Sequence, residues 1–131
     1  MTYLFDASSI IALVVRGKVD PLMRGYTLDL AGYEVGNYLW KEAYLFRSLG
    51  PGDLAVLAGV FTRVFNNMRV VKTSPLLLEV LRLACRLGVT YYDASYLYHA
   101  KKLGLTLVTE DKKLMEKAKG FIRAMSSSEV V

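Results

Sequence analysis

The sequence predicts an α/β protein, a three-layer α/β/α sandwich in which helices cover both faces of a central parallel sheet. Short runs rich in β-branched and aromatic residues alternate with longer segments whose apolar residues recur at helical spacing. Strands separated by helices are typical of parallel sheets, because a parallel pair needs a long crossover connection. The chain has 131 residues, 53% of them hydrophobic, so we expect one domain over residues 1–131 with a sizeable core.

Six short runs have the composition of strands. The first ends at Asp6, and the run at residues 105–109 is the most convincing of the six. The predicted strands cover residues 3–5, 26–30, 69–72, 89–92, 105–109 and 121–125.

Helices are predicted between these runs, and glycine or proline marks several of their ends. Gly88 and Gly104 end two helices, while Asp20 followed by Pro21 has the form of a helix N-cap with proline at the first position. The predicted helices cover residues 7–16, 21–24, 31–49, 53–66, 75–87, 93–103 and 111–119. The tail at residues 126–131 is predicted to be loose.

Composition and missing motifs exclude several classes of protein. The longest aliphatic run, residues 10–15, is far shorter than a membrane span, and the N-terminus lacks the pattern of a secretory signal. A lone Cys85 cannot form an internal disulfide, which favours a reducing, cytoplasmic setting. Cys85 and the single His99 do not suffice for a zinc site or a Cys–His nucleophile; His99 is predicted to lie on the surface or pack between helices. No dinucleotide or P-loop fingerprint is present.

Four acidic residues from separate segments form the candidate site. Asp6, Asp93 and Asp111 each follow a predicted strand and begin a helix, and Glu34 lies one turn into the helix after the second strand. Because parallel strands end at one edge of a sheet, these carboxylates can meet in one cleft. The alternatives are structural: each aspartate also suits a helix N-cap, and Glu34 can pair with Lys41 on a solvated helix face.

Carboxylates gathered among apolar residues repel one another and lose hydration, and a divalent cation removes that cost. Mg²⁺ and Mn²⁺ prefer oxygen ligands, which suits acids with no nearby histidine or cysteine. The hydroxyls of Ser8, Ser9 and Thr109 are predicted at the same edge, where each can orient a carboxylate or bond to the backbone of a turn.

The acidic segments resemble the four acidic motifs of PIN domains. The motifs are DAS at 6–8, YEVGN at 33–37, YDASY at 92–96 and LVTED at 107–111. Their order and spacing, from residue 2 to about residue 125, are similar to those of the single-domain VapC-type toxins of prokaryotic toxin–antitoxin pairs. Two departures stand out: Ala7 replaces a frequent hydroxyl residue, and Glu110 adds an acid beside Asp111.

This resemblance implies a Rossmann-like fold and a cytoplasmic endoribonuclease that depends on Mg²⁺ or Mn²⁺. It implies RNA as the substrate, a cognate antitoxin protein as a partner, and a homodimer. The implied catalytic and metal-binding residues are Asp6, Glu34, Asp93 and Asp111, with Ser8 and Thr109 in supporting polar positions.

The remaining polar and aromatic residues allow either a functional or a structural role. A net charge of +5 suits a nucleic-acid partner as well as ordinary solubility. The cations that can guide RNA, or simply form a solvated face, are Lys101, Lys102, Lys112, Lys113, Lys117, Lys119 and Arg123. Tyr91, Tyr92, Tyr96 and Tyr98 can stack on unpaired bases, although core packing is favoured for Tyr92 and Tyr96. Trp40, Tyr44 and Phe46 lie on a broadly apolar helix that is partly available to another chain.

Two other functions compete with the nuclease hypothesis. A PIN-shaped scaffold would bind RNA without cleaving it, although intact acids in all four motifs argue against this. A phospho-receiver domain should carry paired acids after its first strand and a lysine after a late strand. This chain instead has one acid, Asp6, at the first place and Glu110 with Asp111 at the second.

Overall fold

A computed structural model describes residues 2–130 and has a five-stranded parallel sheet at its centre. The strand order is β3-β2-β1-β4-β5, and all four pairings are parallel. The strands are β1 (Tyr3–Phe5), β2 (Tyr26–Leu28), β3 (Arg69–Val71), β4 (Thr106–Val108) and β5 (Ala124–Met125). The chain runs outward from β1 to β3 and then crosses back to β4, so the order reverses between β1 and β4. Open α/β sheets bind their ligands at the carboxyl end of such a switch point.

Six α-helices pack on the sheet and make the predicted three layers. They are α1 (Ala7–Val15), α2 (Leu30–Trp40), α3 (Pro51–Asn66), α4 (Leu77–Leu87), α5 (Tyr91–Leu103) and α6 (Lys112–Ala118). Residues of α1, α2 and α3 form one core cluster with Phe5 and Val108. Residues of α4, α5 and α6 form another with Leu4 and Leu107. Alternate strand residues point to opposite faces, so β1 and β4 contribute to both clusters.

The register of β1 and β4 fixes the loops that follow them. Leu4 lies opposite Leu107 and Phe5 opposite Val108. The ladder continues for one more bond, because the Asp6 amide donates to the Val108 carbonyl at 3.1 Å. The residues that follow both strands therefore leave the sheet side by side at its carboxyl edge.

The predicted strand at residues 89–92 was wrong. Val89 and Thr90 form a short connection, and α5 begins at Tyr91, two residues before the predicted start. The Thr90 hydroxyl accepts a hydrogen bond from the Asp93 amide at 3.0 Å and caps the helix. A β-prone composition was overridden by this capping bond, which stabilises the first turn of the helix.

Two helices also differ from their predicted form. Residues 20–22 form a 3₁₀ helix, Asp20–Leu22, preceded by Val19 with no side-chain cap, so Asp20 is not the N-cap. The predicted helix at 31–49 is α-helical from Leu30 to Trp40 and continues as a π-helical turn over Lys41–Leu45. There the Phe46 amide donates to the Lys41 carbonyl at 2.9 Å, and the helix ends before residue 49.

The predicted loose tail was wrong for residues 126–130; residue 131 lies outside the described residues. Ser127–Glu129 form a 3₁₀ helix, and Glu129 Oε1 accepts from both the amide and the hydroxyl of Ser126. Ser127 is buried, and its amide donates to Glu110 Oε1 at 2.9 Å. These bonds attach the tail to the loop after β4. No helix in the described part of the chain is long and apolar enough to span a bilayer.

Candidate active site

Asp6 lies at the switch point, directly after β1. Its Oδ1 accepts hydrogen bonds from the Ser9 amide at 2.9 Å and from the Ser8 hydroxyl at 2.7 Å. It is therefore the N-cap of α1, as the structural alternative proposed, and it is also a buried carboxylate at the sheet edge, only 6% exposed.

The loop after β4 is bonded to the loop that carries Asp6. The Thr109 hydroxyl lies 3.3 Å from the Ser8 hydroxyl and accepts from the Asp111 amide at 3.0 Å. Ser8 also accepts from the Glu110 amide at 2.9 Å. Asp111 caps α6, because its Oδ1 accepts from the amides of the second and third residues of that helix, Lys113 and Leu114. Ser8 and Thr109 thus hold Asp6 and Asp111 on neighbouring, cross-bonded turns.

Glu34 projects from α2 and is held by a tyrosine of α5. The Tyr96 hydroxyl donates to Glu34 Oε1 at 2.8 Å, and Tyr96 is 2% exposed. Within residues 2–130 Glu34 forms no ion pair with Lys41, so the solvated-pair alternative is not what the structure shows. Glu34 is half-buried and reaches the sheet edge from the layer opposite α5.

Asp93 is the third residue of α5 and reaches the site from the first turn of that helix. It is not an N-cap, since Thr90 performs that role. Asp93 and Asp111 line one cavity of about 240 Å³ together with Lys113 and Lys117. The expectation that Asp93 follows a strand was wrong, but the short connection before α5 still brings it beside Asp111.

Burial raises the pKa values of Asp6, Glu34 and Asp93, and neighbouring charges raise those of Glu34 and Asp93 further. Burial raises the pKa of Asp6, although hydrogen bonds from Thr109, Ser9 and Ser8 act in the opposite direction. Burial raises the pKa of Glu34, and the charges of Asp6 and Asp93 raise it further while the Tyr96 bond lowers it. The pKa values of these groups therefore depend on one another.

The same pattern extends to the other side of the site. The pKa of Asp93 is raised first by burial and then by the charge of Asp111. The pKa of Tyr96 is raised by burial and by the charges of Glu34 and Asp6, so its hydroxyl stays protonated and remains a donor. Repulsion therefore connects all four acids: Asp6 with Glu34, Glu34 with Asp93, and Asp93 with Asp111.

The four acids have no compensating ion pair. Among residues 2–130 the salt bridges are Arg16–Glu110 at 3.9 Å and Lys119–Glu116 at 3.0 Å, and neither involves a site carboxylate. Buried carboxylates without a cation are costly to keep ionised. Lys113 and Lys117 line the cavity of Asp93 and Asp111, but within residues 2–130 neither lysine forms an ion pair with them, so the acids are not neutralised by direct pairing.

The donor set fits a hydrated hard cation better than a fully protein-ligated one. In the described part of the chain no three carboxylate, imidazole or thiol side chains are placed to hold one ion together. Mg²⁺ commonly binds through one or two carboxylates and keeps several waters, so convergence of three is not required. Asp93 and Asp111 share a cavity, Asp6 lies at the same edge, and all offer oxygen.

A larger cavity adjoins Glu34 on the other side. It has a volume of about 470 Å³, and its lining includes Glu34, Tyr33, Tyr38, Lys41 and Tyr92. Tyr33 and Tyr92 are 78% and 59% exposed. Core packing was therefore wrong for Tyr92, which offers an open ring beside the acids.

Sequence analysis missed Tyr96 as a site residue. Its predicted core packing is confirmed, but its hydroxyl also positions Glu34. The available signal was spacing, because Tyr96 follows Asp93 by three residues and lies on the same face of a helix.

Glu110, the extra acid, serves the structure. Its carboxylate accepts from the Ser127 amide and pairs with Arg16, so it faces the C-terminal tail. His99 is buried, and its Nδ1 donates to the Ser95 carbonyl at 2.8 Å, which confirms a helix-packing role.

Comparison with known proteins identifies the family. The sequence model of the PIN domain matches residues 3–120. The chain belongs to the PIN domain family. Two curated relatives come from Pyrobaculum aerophilum. "Exonuclease VapC9" is 42% identical over 122 residues, covering 92% of this chain and 88% of that protein. "Ribonuclease VapC3" is 37% identical over 126 residues, covering 89% and 95%.

Three solved structures share the fold. PAE2754 from Pyrobaculum aerophilum is 40% identical, with a TM-score of 0.81 over 98% of this chain and 92% of that one. FitAcB from Neisseria gonorrhoeae, at 16% identity, has a TM-score of 0.67 over 98% and 99% of the two chains. DNA-bound VapBC from Salmonella typhimurium, at 19%, has a TM-score of 0.63 over 97% and 98%. The last two show similarity of fold alone.

Proposed function

We propose that this PIN-family chain is an endoribonuclease that depends on Mg²⁺ or Mn²⁺ and serves as the toxin of a VapBC-type toxin–antitoxin pair. The observation that carries the proposal is the convergence of Asp6, Glu34, Asp93 and Asp111 at the switch point, where none of them forms a salt bridge within residues 2–130. Two relatives that are named as a ribonuclease and an exonuclease support a nuclease activity. Family membership removes the phospho-receiver hypothesis.

Each acid has a distinct part in this proposal. Asp6, Asp93 and Asp111 offer carboxylate oxygens to the cation, one or two of them directly and the others through its bound waters, and Glu34 completes the acidic ring from α2. A bound Mg²⁺ or Mn²⁺ ion supplies a water of lowered pKa and charge stabilisation at the phosphate. Ser8 and Thr109 keep the loops of Asp6 and Asp111 in register.

Other side chains of the site position the substrate. Tyr96 fixes the Glu34 carboxylate through its hydroxyl bond. Lys113 and Lys117 line the cavity of Asp93 and Asp111, where an RNA phosphate can meet positive charge. The exposed ring of Tyr92 offers a face on which an unpaired base can stack.

A protein partner fits the surface beside Glu34. Tyr33, Trp40, Tyr44 and Phe46 are exposed on and after α2, and the rings of Trp40 and Tyr44 stack at 5.5 Å. Exposed apolar surface of this kind commonly serves protein interaction. We assign the cavity side of this surface to a cognate antitoxin that would cover the acids. A homodimer is the accompanying expectation, tested by light scattering coupled to size-exclusion chromatography.

The deciding experiment measures cleavage of a circular single-stranded RNA, which has no ends and so reports endonuclease activity alone. Wild-type protein should linearise the circular RNA with Mg²⁺ or Mn²⁺, and this cleavage should stop in EDTA. Asp93→Asn should lose at least about 100-fold in rate, the scale for a group that acts in the transition state. Glu110→Gln is the matched control, an acid of the same edge that binds the tail, and it should keep its activity. Cleavage at the wild-type rate by Asp93→Asn, or in EDTA, would contradict the assignment.

A further inference from the structure

A surface rich in cations lies outside the candidate active site, where α4 and α5 meet the loop before β5. Two adjoining grooves of about 470 Å³ each share Lys101 and Phe121 in their linings. The cations that line them are Arg82, Arg86, Lys101, Lys102 and Arg123, and we call this set the α4–α5 track. Sequence analysis grouped Lys101, Lys102 and Arg123 with the last acidic motif and did not include the two arginines of α4.

The track carries excess positive charge that the protein does not neutralise. All five cations are exposed, and Glu79 is the one carboxylate that lines either groove. Within the part of the chain that the structure describes, none of the five has an acidic partner within 4.0 Å. By contrast, Lys119, a cation in the same region of the sequence, pairs with Glu116. Clustered cations without acidic partners attract a polyanion that is long enough to contact several of them.

Aromatic rings lie among these cations. The Lys101 ammonium lies 5.4 Å from the centre of the Phe121 ring, and Lys102 lies 5.8 Å from that of Tyr98. Both rings are half-buried, so each leaves part of its surface open. Positive charge interleaved with aromatic rings is the combination that binds unpaired nucleotides, since phosphates meet the cations while bases stack on the rings.

The track lies at the opposite edge of the sheet from the acids, and α5 connects the two. Thr2 and Leu105 line one groove and immediately precede β1 and β4, so that groove is at the amino edge. Asp93 lies in the first turn of α5, and Lys101 lies eight residues later, about 12 Å along the axis at 1.5 Å per residue. An RNA strand bound along the track therefore lies within a few nucleotides of the acidic cavity.

We propose that the α4–α5 track binds the phosphate backbone of single-stranded RNA, separately from the acidic site and without a divalent ion. The proposal deepens the proposed function and rests on it for the identity of the nucleic acid. The track retains the RNA by backbone charge and base stacking, and α5 sets the distance from the retained segment to the phosphate that is cut.

The test measures binding of a fluorescent, unstructured 20-nucleotide RNA by anisotropy in EDTA, where cleavage is absent. Arg82→Gln/Arg86→Gln removes two cations of the track. Loss of two phosphate contacts should weaken binding about 25-fold at 0.1 M salt and reduce the salt slope by about 1.4. The matched control, Lys18→Gln/Arg63→Gln, removes the same charge from exposed positions outside the track and should change binding less than about 2-fold. Lys102→Gln/Arg123→Gln is an independent second pair, and circular dichroism melting verifies that each variant is folded.

The outcomes separate this proposal from the proposed function. Equal weakening in the track and control variants would show general charge attraction and overturn the track. If the protein cleaves RNA with Mn²⁺ but does not bind RNA in EDTA, the track is overturned as well. The proposed nuclease function is not contradicted by that result. A poly-glutamate peptide that binds as tightly, with the same dependence on Arg82 and Arg86, would overturn RNA as the occupant. Specific loss in the track variants, with no cleavage in any metal, would support the track and reject the nuclease.

Discussion

Asp6 combines a stabilising hydrogen-bond role with a destabilising charge, and two substitutions separate these effects. Asn keeps a side-chain oxygen that can accept from the Ser9 amide and the Ser8 hydroxyl, but it removes the charge. Ala removes the charge and both acceptors. In EDTA at pH 7.5 we expect Asp6→Asn to be at least as stable as wild type, because the lost charge was buried and repelled by Glu34.

The alanine variant should lose stability by an amount set by the missing bonds. Loss of the N-cap costs about 1 kcal/mol. A buried donor left without an acceptor costs about 1–3 kcal/mol. The unfolding free energy of Asp6→Ala in urea should therefore be about 2–4 kcal/mol lower than that of Asp6→Asn. Both variants should be inactive on RNA. If Asn is destabilised as much as Ala, the charge of Asp6 stabilises the fold, and the interpretation of an uncompensated acidic site is wrong.

The difference between wild type and Asp6→Asn should also depend on pH. The pKa of Asp6 is raised in the folded protein, so the native state holds this proton more tightly than the unfolded chain. Stability from this group is therefore present below the ordinary Asp pKa of about 3.9 and falls as pH rises toward the folded pKa. The advantage of Asn over wild type should be small at pH 4 and larger at pH 7, measured by urea unfolding in EDTA. A constant difference across that range would contradict the raised pKa.

Two further substitutions test the neighbouring assignments. Tyr96→Phe removes the donor to Glu34, so kcat should fall about 10-fold or more with KM little changed, a loss of roughly 1.4 kcal/mol or more. Tyr98→Phe, on the same helix but outside the acids, is its control, and equal kcat values would refute the positioning role. His99→Ala should keep its cleavage rate, since His99 bonds only within α5 through the Ser95 carbonyl, yet should lose about 2–4 kcal/mol of stability from the cavity. An inactive but folded His99→Ala protein would contradict the absence of a histidine base.

The sequence predicted the positions of site residues best where the topology of the parallel sheet alone sets those positions. Asp6 and Asp111 follow β1 and β4 or their loops, and a parallel sheet brings such residues to one edge whatever the details of packing. Asp93 was placed correctly for a wrong reason. The predicted strand before it is absent, and a Thr90 cap opens α5 directly. The outcome was the same because the chain between α4 and α5 is short.

The features that sequence did not predict depend on contacts between distant residues. The bond from Tyr96 to Glu34 joins residues 62 positions apart, and the Glu110 bond to Ser127 orders a tail that looks polar and free. The π-helical turn at Lys41–Leu45 interrupts a segment whose composition favours a continuous helix. Local propensity does not depend on these distant partners, so the predictions made from it were wrong for both the tail and the end of α2.

If the four acids need a divalent ion, wild-type protein should be more resistant to thermal unfolding in Mn²⁺ than in EDTA. An ion that binds only the folded state should add about 2.7 kcal/mol at one hundred times its dissociation constant. For a chain of this size that corresponds to a rise in Tm of roughly 10 °C. Asp6→Asn/Asp93→Asn should show little of this rise. An unchanged wild-type Tm in saturating Mn²⁺, or an equal rise in the double variant, would contradict the account.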